Sequence, residues 1–159
     1  MATFKDYLEN NSLLILHGAL GTEMEALGYD ISGKLWSAKY LLEKSEVIQE
    51  LHETYVAAGA DLITTSSYQA TLPGLVEAGL TEKAAEQIIA LTVRLAKAAR
   101  DKVWGALDET EKAKRPYPLI SGDVGPYAAY LANGSEYSGD YGQITICLLY
   151  TSDAADDKA

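Results

Sequence analysis

The sequence predicts an α/β fold built from parallel strand–loop–helix units, and three observations carry the prediction. Leu13–Leu16 is an apolar run of strand length that ends in His17-Gly18 and gives way to a helix-forming segment. The same order recurs at Ala60–Thr65, followed by the polar loop Ser66–Thr71 and a long amphipathic segment. A third copy begins at Leu119-Ile120-Ser121 and exits through Gly122–Pro126. Buried parallel strands are written as continuous apolar runs, and their alternation with helices gives a parallel sheet with right-handed crossovers. A closed barrel of such units needs eight strands and roughly 250 residues. This chain holds only about three such units.

The elements follow in order. Residues 3–10 form a short amphipathic helix with Phe4, Tyr7 and Leu8 on one side, placed to cover the open bottom of the barrel or flank the first strand. After the first strand, Gly18 and Gly21 let the backbone turn and approach a ligand. Thr22 is expected to cap the next helix, with Glu23 and Glu25 in its first turn, where carboxylates offset the dipole. Ser45 is the expected cap of a helix whose buried stripe is Val47, Ile48, Leu51, Tyr55 and Ala58, stopped by Gly59. His52 is expected on the surface of that helix, or partly packed. Thr81 caps a second long helix with Ala84, Ile88, Leu91, Leu95 and Ala99 inward and Arg94, Lys97 and Arg100 near its end. Asp108–Pro118 is a charged connection, and Tyr127–Gly142 is a long Tyr- and Gly-rich stretch. Trp36 and Trp104 are expected in packing roles.

Composition excludes several classes of function. The chain has 159 residues, 48% hydrophobic, with a net charge of −10. An acidic balance with scattered cations does not suit the phosphate backbone of nucleic acid. No run reaches the ~18 apolar residues of a membrane span, and Met1–Asp6 lacks the layout of a signal peptide, so a cytoplasmic protein is expected. The single cysteine, Cys147, allows no internal disulfide and no cysteine-based metal cluster.

In a parallel barrel, chemistry sits in the loops that leave the carboxyl ends of the strands. The candidate binding residues are therefore His17, Gly18, Thr22 and Glu23 from the first loop, Ser66, Ser67 and Tyr68 from the second, and Gly125 and Pro126 from the third. Tyr127, Tyr130, Tyr137 and Tyr141 could meet a cation through their ring faces or pack the long loop on itself.

Four strings in these loops are specific: His17-Gly18-Ala19-Leu20-Gly21-Thr22-Glu23-Met24-Glu25, Leu35-Trp36-Ser37-Ala38-Lys39, Ser67-Tyr68-Gln69-Ala70-Thr71, and the run from Gly125-Pro126-Tyr127 to Gly134-Ser135-Glu136-Tyr137. In this order, over about residues 4–142, the chain resembles the N-terminal part of the homocysteine S-methyltransferases, in their S-methylmethionine-using branch. The resemblance implies a (β/α)8 TIM barrel that moves a methyl group from S-methylmethionine or S-adenosylmethionine to homocysteine, giving methionine. It also implies Zn2+, on which the homocysteine thiol would lose its proton. The family's zinc ligands are three late cysteines, and this chain does not contain them.

The chain departs from the family pattern at a few positions. His17 stands where Asp is usual, and a carboxylate there would hold the substrate ammonium. Asp123 stands where Ser is common, and Ala128 and Asn133 replace Gly and Asp. From Cys147 onward, Cys-Leu-Leu-Tyr-Thr-Ser-Asp-Ala-Ala-Asp-Asp resembles the translation of a sequencing-library adapter. We therefore expect residues 1–142 to be methyltransferase barrel and 143–159 to be a non-native tail. Two other readings compete with a methyltransferase. One is a non-catalytic fragment, and the other is a sugar-phosphate-binding barrel enzyme, weakened because barrel phosphate sites follow late strands.

Overall fold

A computed structural model describes residues 4–10 and 13–143. The expectations for the tail, including Cys147, lie outside the described residues. Two strands, β1 (Leu62–Thr64) and β2 (Leu119–Ser121), pair in parallel with Ile63 opposite Ile120. The predicted first strand is reduced to one parallel bridge, Leu16 to Leu62, on the other side of β1. Its hydrogen bonds still follow a parallel ladder: Leu62 N donates to Ile15 O at 3.1 Å, and His17 N donates to Leu62 O at 3.0 Å. The three segments thus lie side by side in chain order, as consecutive units of a parallel wall would. Leu13, Ile15 and Leu16 remain 81%, 60% and 56% exposed, so the first segment gains no burial on a second face that would lengthen its ladder.

Helices pack on this wall. α1 (Phe4–Asn10) buries Tyr7 but leaves Phe4 and Leu8 exposed. α2 (Leu20–Ala26) starts three residues earlier than expected, with Ala19 at its N-cap and no side-chain cap. Thr22 therefore lies inside the helix rather than capping it, while Glu23 does sit in the first turn. A 3-10 turn (Trp36–Lys39) leads into α3 (Tyr40–Glu43) and α4 (Ser45–Ala57). Lys44, not Ser45, holds the cap position of α4, and its inward face carries His52 and Val56 in place of Ala58. Gly59 follows with φ +105°, the left-handed stop expected of it.

The passage after β1 forms a helix the sequence reading missed, α5 (Leu72–Glu77), capped by Thr71 through Gly74 N at 3.2 Å. Thr81 caps α6 (Glu82–Ala106) through Ala84 N at 3.3 Å, as expected. That helix runs past the predicted end, so Arg100 is not in its last turn. Arg100 is buried instead, its Nε 2.8 Å from Asp101 Oδ1 and its guanidinium 4.4 Å from the Tyr117 ring centroid. The inward face of α6 is Ala85, Thr92, Leu95, Ala96 and Ala99. Small residues at this spacing let α4 and α6 approach closely, and Ala96 joins Val56, Ala60 and Ile63 in one apolar cluster between helix and sheet.

The charged connection contains one turn, α7 (Glu109–Lys112), closed by a capping box between Asp108 and Glu111. Two short helices, α8 (Tyr127–Leu131) and α9 (Ser135–Ser138), occupy the Tyr- and Gly-rich stretch. Among the described residues no helix is long and apolar enough to cross a membrane.

Candidate functional site

The carboxyl ends of the three parallel segments open onto one cleft of about 560 Å³, within the usual range for a small-molecule site. The first segment contributes His17 and Gly18, β1 contributes Thr64, Thr65 and Ser66, and the loop after β2 contributes Asp123. The start of α2 adds Thr22, and Trp36, Tyr68 and Tyr137 complete the rim. Of the residues named from sequence, His17, Gly18, Thr22, Ser66 and Tyr68 line the cleft; Glu23, Ser67, Gly125 and Pro126 do not. Trp36, expected in packing, is 42% exposed and faces the cleft with φ +44°. Trp104 does pack, edge-on against Tyr117.

Two of the predicted residues outside the lining brace it. Ser67 has one hydroxyl proton and donates it to Asp123 O at 2.5 Å. The 2.7 Å bond between Ser67 Oγ and Thr65 Oγ1 must then be donated by Thr65. Thr65 Oγ1 in turn accepts from Asp123 N at 2.9 Å. Three hydrogen bonds thereby close a ring that fastens the β2 exit loop to the β1 exit loop through both main-chain polar groups of Asp123. Gly125 seats the next residues of that loop. A Cβ on Gly125 would lie 2.1 Å from Tyr68 O, so only a glycine allows the two backbones to meet there. Gly18 does the same against α4, where an added Cβ would come 2.8 Å from the Tyr55 ring. Tyr55 also holds the first loop, its hydroxyl donating to Ala19 O at 3.1 Å.

Electrostatically the cleft is negative, with two neutral imidazoles at its floor. His17 Nε2 shares a 2.6 Å hydrogen bond with Thr64 Oγ1. Burial lowers the His17 pKa, outweighing the opposite pull of the Gly18 main chain and of the Asp123 charge. His52 is completely buried behind it, with ring centroids 6.1 Å apart and nearly perpendicular. Burial first, and His17 second, push His52 down to about 4. The sequence predicts His52 on the helix surface or partly packed, and the structure buries it completely. Its position one turn before Val56 and next to Leu51 is the signal that could have assigned it inward. Burial also raises the Asp123 pKa, with His17 pulling the other way.

Four buried polar atoms of the lining have no hydrogen-bond partner: His17 Nδ1, His52 Nδ1, His52 Nε2 and Ser66 Oγ. Buried polar groups in folded chains pair with protein, ordered water or a ligand, so these atoms are the hydrogen-bonding capacity the cleft offers to water or a polar ligand. Among the described residues no group of three or more His, Cys, Asp and Glu side chains is arranged to hold a metal ion. With Cys147 the only cysteine of the sequence, the residues present do not fit the zinc that the resemblance implies.

Parallel strands whose carboxyl ends gather around one cleft define a βα-layered protein, with the cleft at the place where such folds carry their sites. The family model for Homocysteine S-methyltransferase matches residues 14–154, and the chain belongs to that family. It is 44% identical over 141 residues to Homocysteine S-methyltransferase YbgG of Bacillus subtilis, covering 89% of this chain and 44% of the relative. To the Homocysteine S-methyltransferase of Escherichia coli it is 44% identical over 134 residues, 84% of this chain and 42% of that protein. The crystal structure of the homocysteine methyltransferase MmuM from Escherichia coli, metallated form, superposes with a TM-score of 0.71. That match has 43% identity and covers 87% of this chain and 46% of that one. The chain thus spans less than half the length of the curated relatives it matches.

Proposed function

We propose that this chain forms the part of a homocysteine S-methyltransferase that holds the amino-acid acceptor. The parent protein is a (β/α)8 barrel that transfers a methyl group from S-methylmethionine or S-adenosylmethionine to homocysteine. The observation that carries this reading is the set of unpartnered polar atoms on His17, His52 and Ser66 at the carboxyl ends of the strands, in a chain whose family model names that reaction.

In the reaction, the acceptor sulfur forms a bond to the methyl carbon while the carbon–sulfonium bond breaks. The donor leaves as a neutral thioether and requires no general acid. What remains for the protein is to deprotonate the thiol and to align acceptor and donor. The residues of this chain fit only the second task. Gly18 seats the first loop against Tyr55 of α4, His17 and Ser66 present polar atoms to the ligand, and the Thr65–Ser67–Asp123 ring fixes the distance between two loops. Activation of the thiol is not assigned to the described residues of this chain, which gather no metal-binding set.

Titration with homocysteine, followed by the fluorescence of Trp36 at the cleft rim, tests the reading. Saturable binding that weakens in His17→Ala supports it. A cooperatively folded chain that shows no saturable response to homocysteine at tens of millimolar overturns it.

A further inference from the structure

We propose that Asp123 is the residue of this chain that receives the α-ammonium group of the amino-acid substrate, an inference that rests on the homocysteine reading above. The cleft lining contains no Lys or Arg, and its formal charges are the carboxylates of Glu25 and Asp123. A cation is therefore the complementary ligand group. Glu25 is exposed, whereas Asp123 is half-buried, so Asp123 has already given up part of its hydration and gains more from an ammonium partner.

The geometry around Asp123 favours the same residue. Its main chain is held at both polar groups, by Thr65 Oγ1 at 2.9 Å and Ser67 Oγ at 2.5 Å. The loop that follows is pinned by the contact of Gly125 with Tyr68 O. The carboxylate itself has the imidazole of His17 as its charge neighbour. Because burial keeps His17 toward its neutral form, that neighbour does not supply the full positive charge a carboxylate in this position would pair with. An independent observation points to a ligand here: His52, fully buried on the same wall behind His17, has two unpartnered ring nitrogens. A positioned, partly dehydrated carboxylate beside the imidazole of His17 makes a receptor for the ammonium end of an amino acid.

The test compares two ligands by calorimetric titration of the full chain. One is homocysteine, and the other is 4-mercaptobutanoate, which keeps the thiol and carboxylate but lacks the ammonium. The wild-type chain is expected to prefer homocysteine about tenfold or more, as for a charge-assisted hydrogen bond. Asp123→Asn should bind both compounds equally, and Asp123→Glu should restore part of the preference. An Asp123→Asn chain that keeps the wild-type preference overturns the proposal. Loss of both ligands in that variant also counts against it, since removing an ammonium acceptor leaves the deaminated compound untouched. Trimethylsulfonium ion carries positive charge without an ammonium; a loss of its binding in Asp123→Asn would assign the carboxylate to the donor and overturn the ammonium role. A wild-type chain that binds neither thiol compound defeats the homocysteine reading itself, which separates the two failures.

Discussion

Gly125 lies so close to Tyr68 that a single added carbon would stand 2.1 Å from the Tyr68 carbonyl oxygen. The two residues belong to exit loops of neighbouring strands, and their contact keeps those loops at a fixed separation over the cleft. Gly125→Ala must therefore move one loop, because the obstructing atom is backbone and cannot rotate aside. We expect it to destabilise the chain by about 1–3 kcal/mol, as overpacking does, and to weaken homocysteine binding. Gly122→Ala is the control, since its added carbon meets nothing within 4 Å and should change stability by less than about 0.5 kcal/mol. Urea unfolding of both variants checks the contrast.

Helix caps give a second contrast. Thr81 accepts from Ala84 N at the start of α6, so Thr81→Ala should cost about 1 kcal/mol. Thr22 resembles a cap in the sequence but sits inside α2 without a capping bond. Thr22→Ala should leave the unfolding midpoint within error of wild type. A matching loss in both variants would contradict the cap assignments.

Stability should fall in mild acid because of His52. Its folded pKa is pushed down to about 4 by burial and by His17, from an ordinary value of 6.5. As pH drops below about 6.5, the unfolded chain takes up the proton before the folded chain does. Stability is thus complete above that pH and declines through the window down to about 4. The decline is at most about 1.4 kcal/mol per pH unit and about 3 kcal/mol in total, and it levels off once folded His52 also protonates. His17, also lowered by burial, adds in the same direction. Asp123, raised by burial, opposes it at the acid end. Unfolding free energies measured between pH 7 and pH 5 should fall less steeply in His52→Phe than in wild type. Equal slopes would contradict the buried neutral assignment.

The exposed apolar residues on the first segment predict association. Leu13, Ile15 and Leu16 are all more than half exposed, and Val124 at the β2 exit is 89% exposed. Unprotected apolar surface beside short parallel strands promotes self-association. Sedimentation velocity should show concentration-dependent oligomers, reduced by Ile15→Lys; a sharp monomer at all concentrations would contradict this.

Much of the fold was legible because parallel βα units mark the chain with strong signals. The apolar run at Leu119–Ile120, the Thr81 cap and the Gly59 stop coincide with β2, the start of α6 and the end of α4. Boundaries set by tertiary contacts were not legible. α6 extends to Ala106 although Arg94–Arg100 resembled a cationic end, because Arg100 is drawn into a buried cluster with Asp101 and Tyr117. The first strand was overcalled for the opposite reason: its apolar residues have no second layer covering them here. At the cleft, strand-end placement identified His17 and Ser66 as candidates. His52 was missed because a polar residue beside an apolar helical stripe ordinarily faces water. The bracing roles of Ser67 and Gly125 depend on distances between loops, which no local pattern encodes.

On the proposed reading, this chain supplies the acceptor-holding part of a homocysteine S-methyltransferase. The most direct measurement joins residues 1–142 to the remaining part of the Bacillus subtilis relative and assays methionine formed from homocysteine and S-methylmethionine. Methionine is expected from the chimera, and its loss in Asp123→Asn. A chimera that folds cooperatively yet makes no methionine would show that this chain does not hold the acceptor.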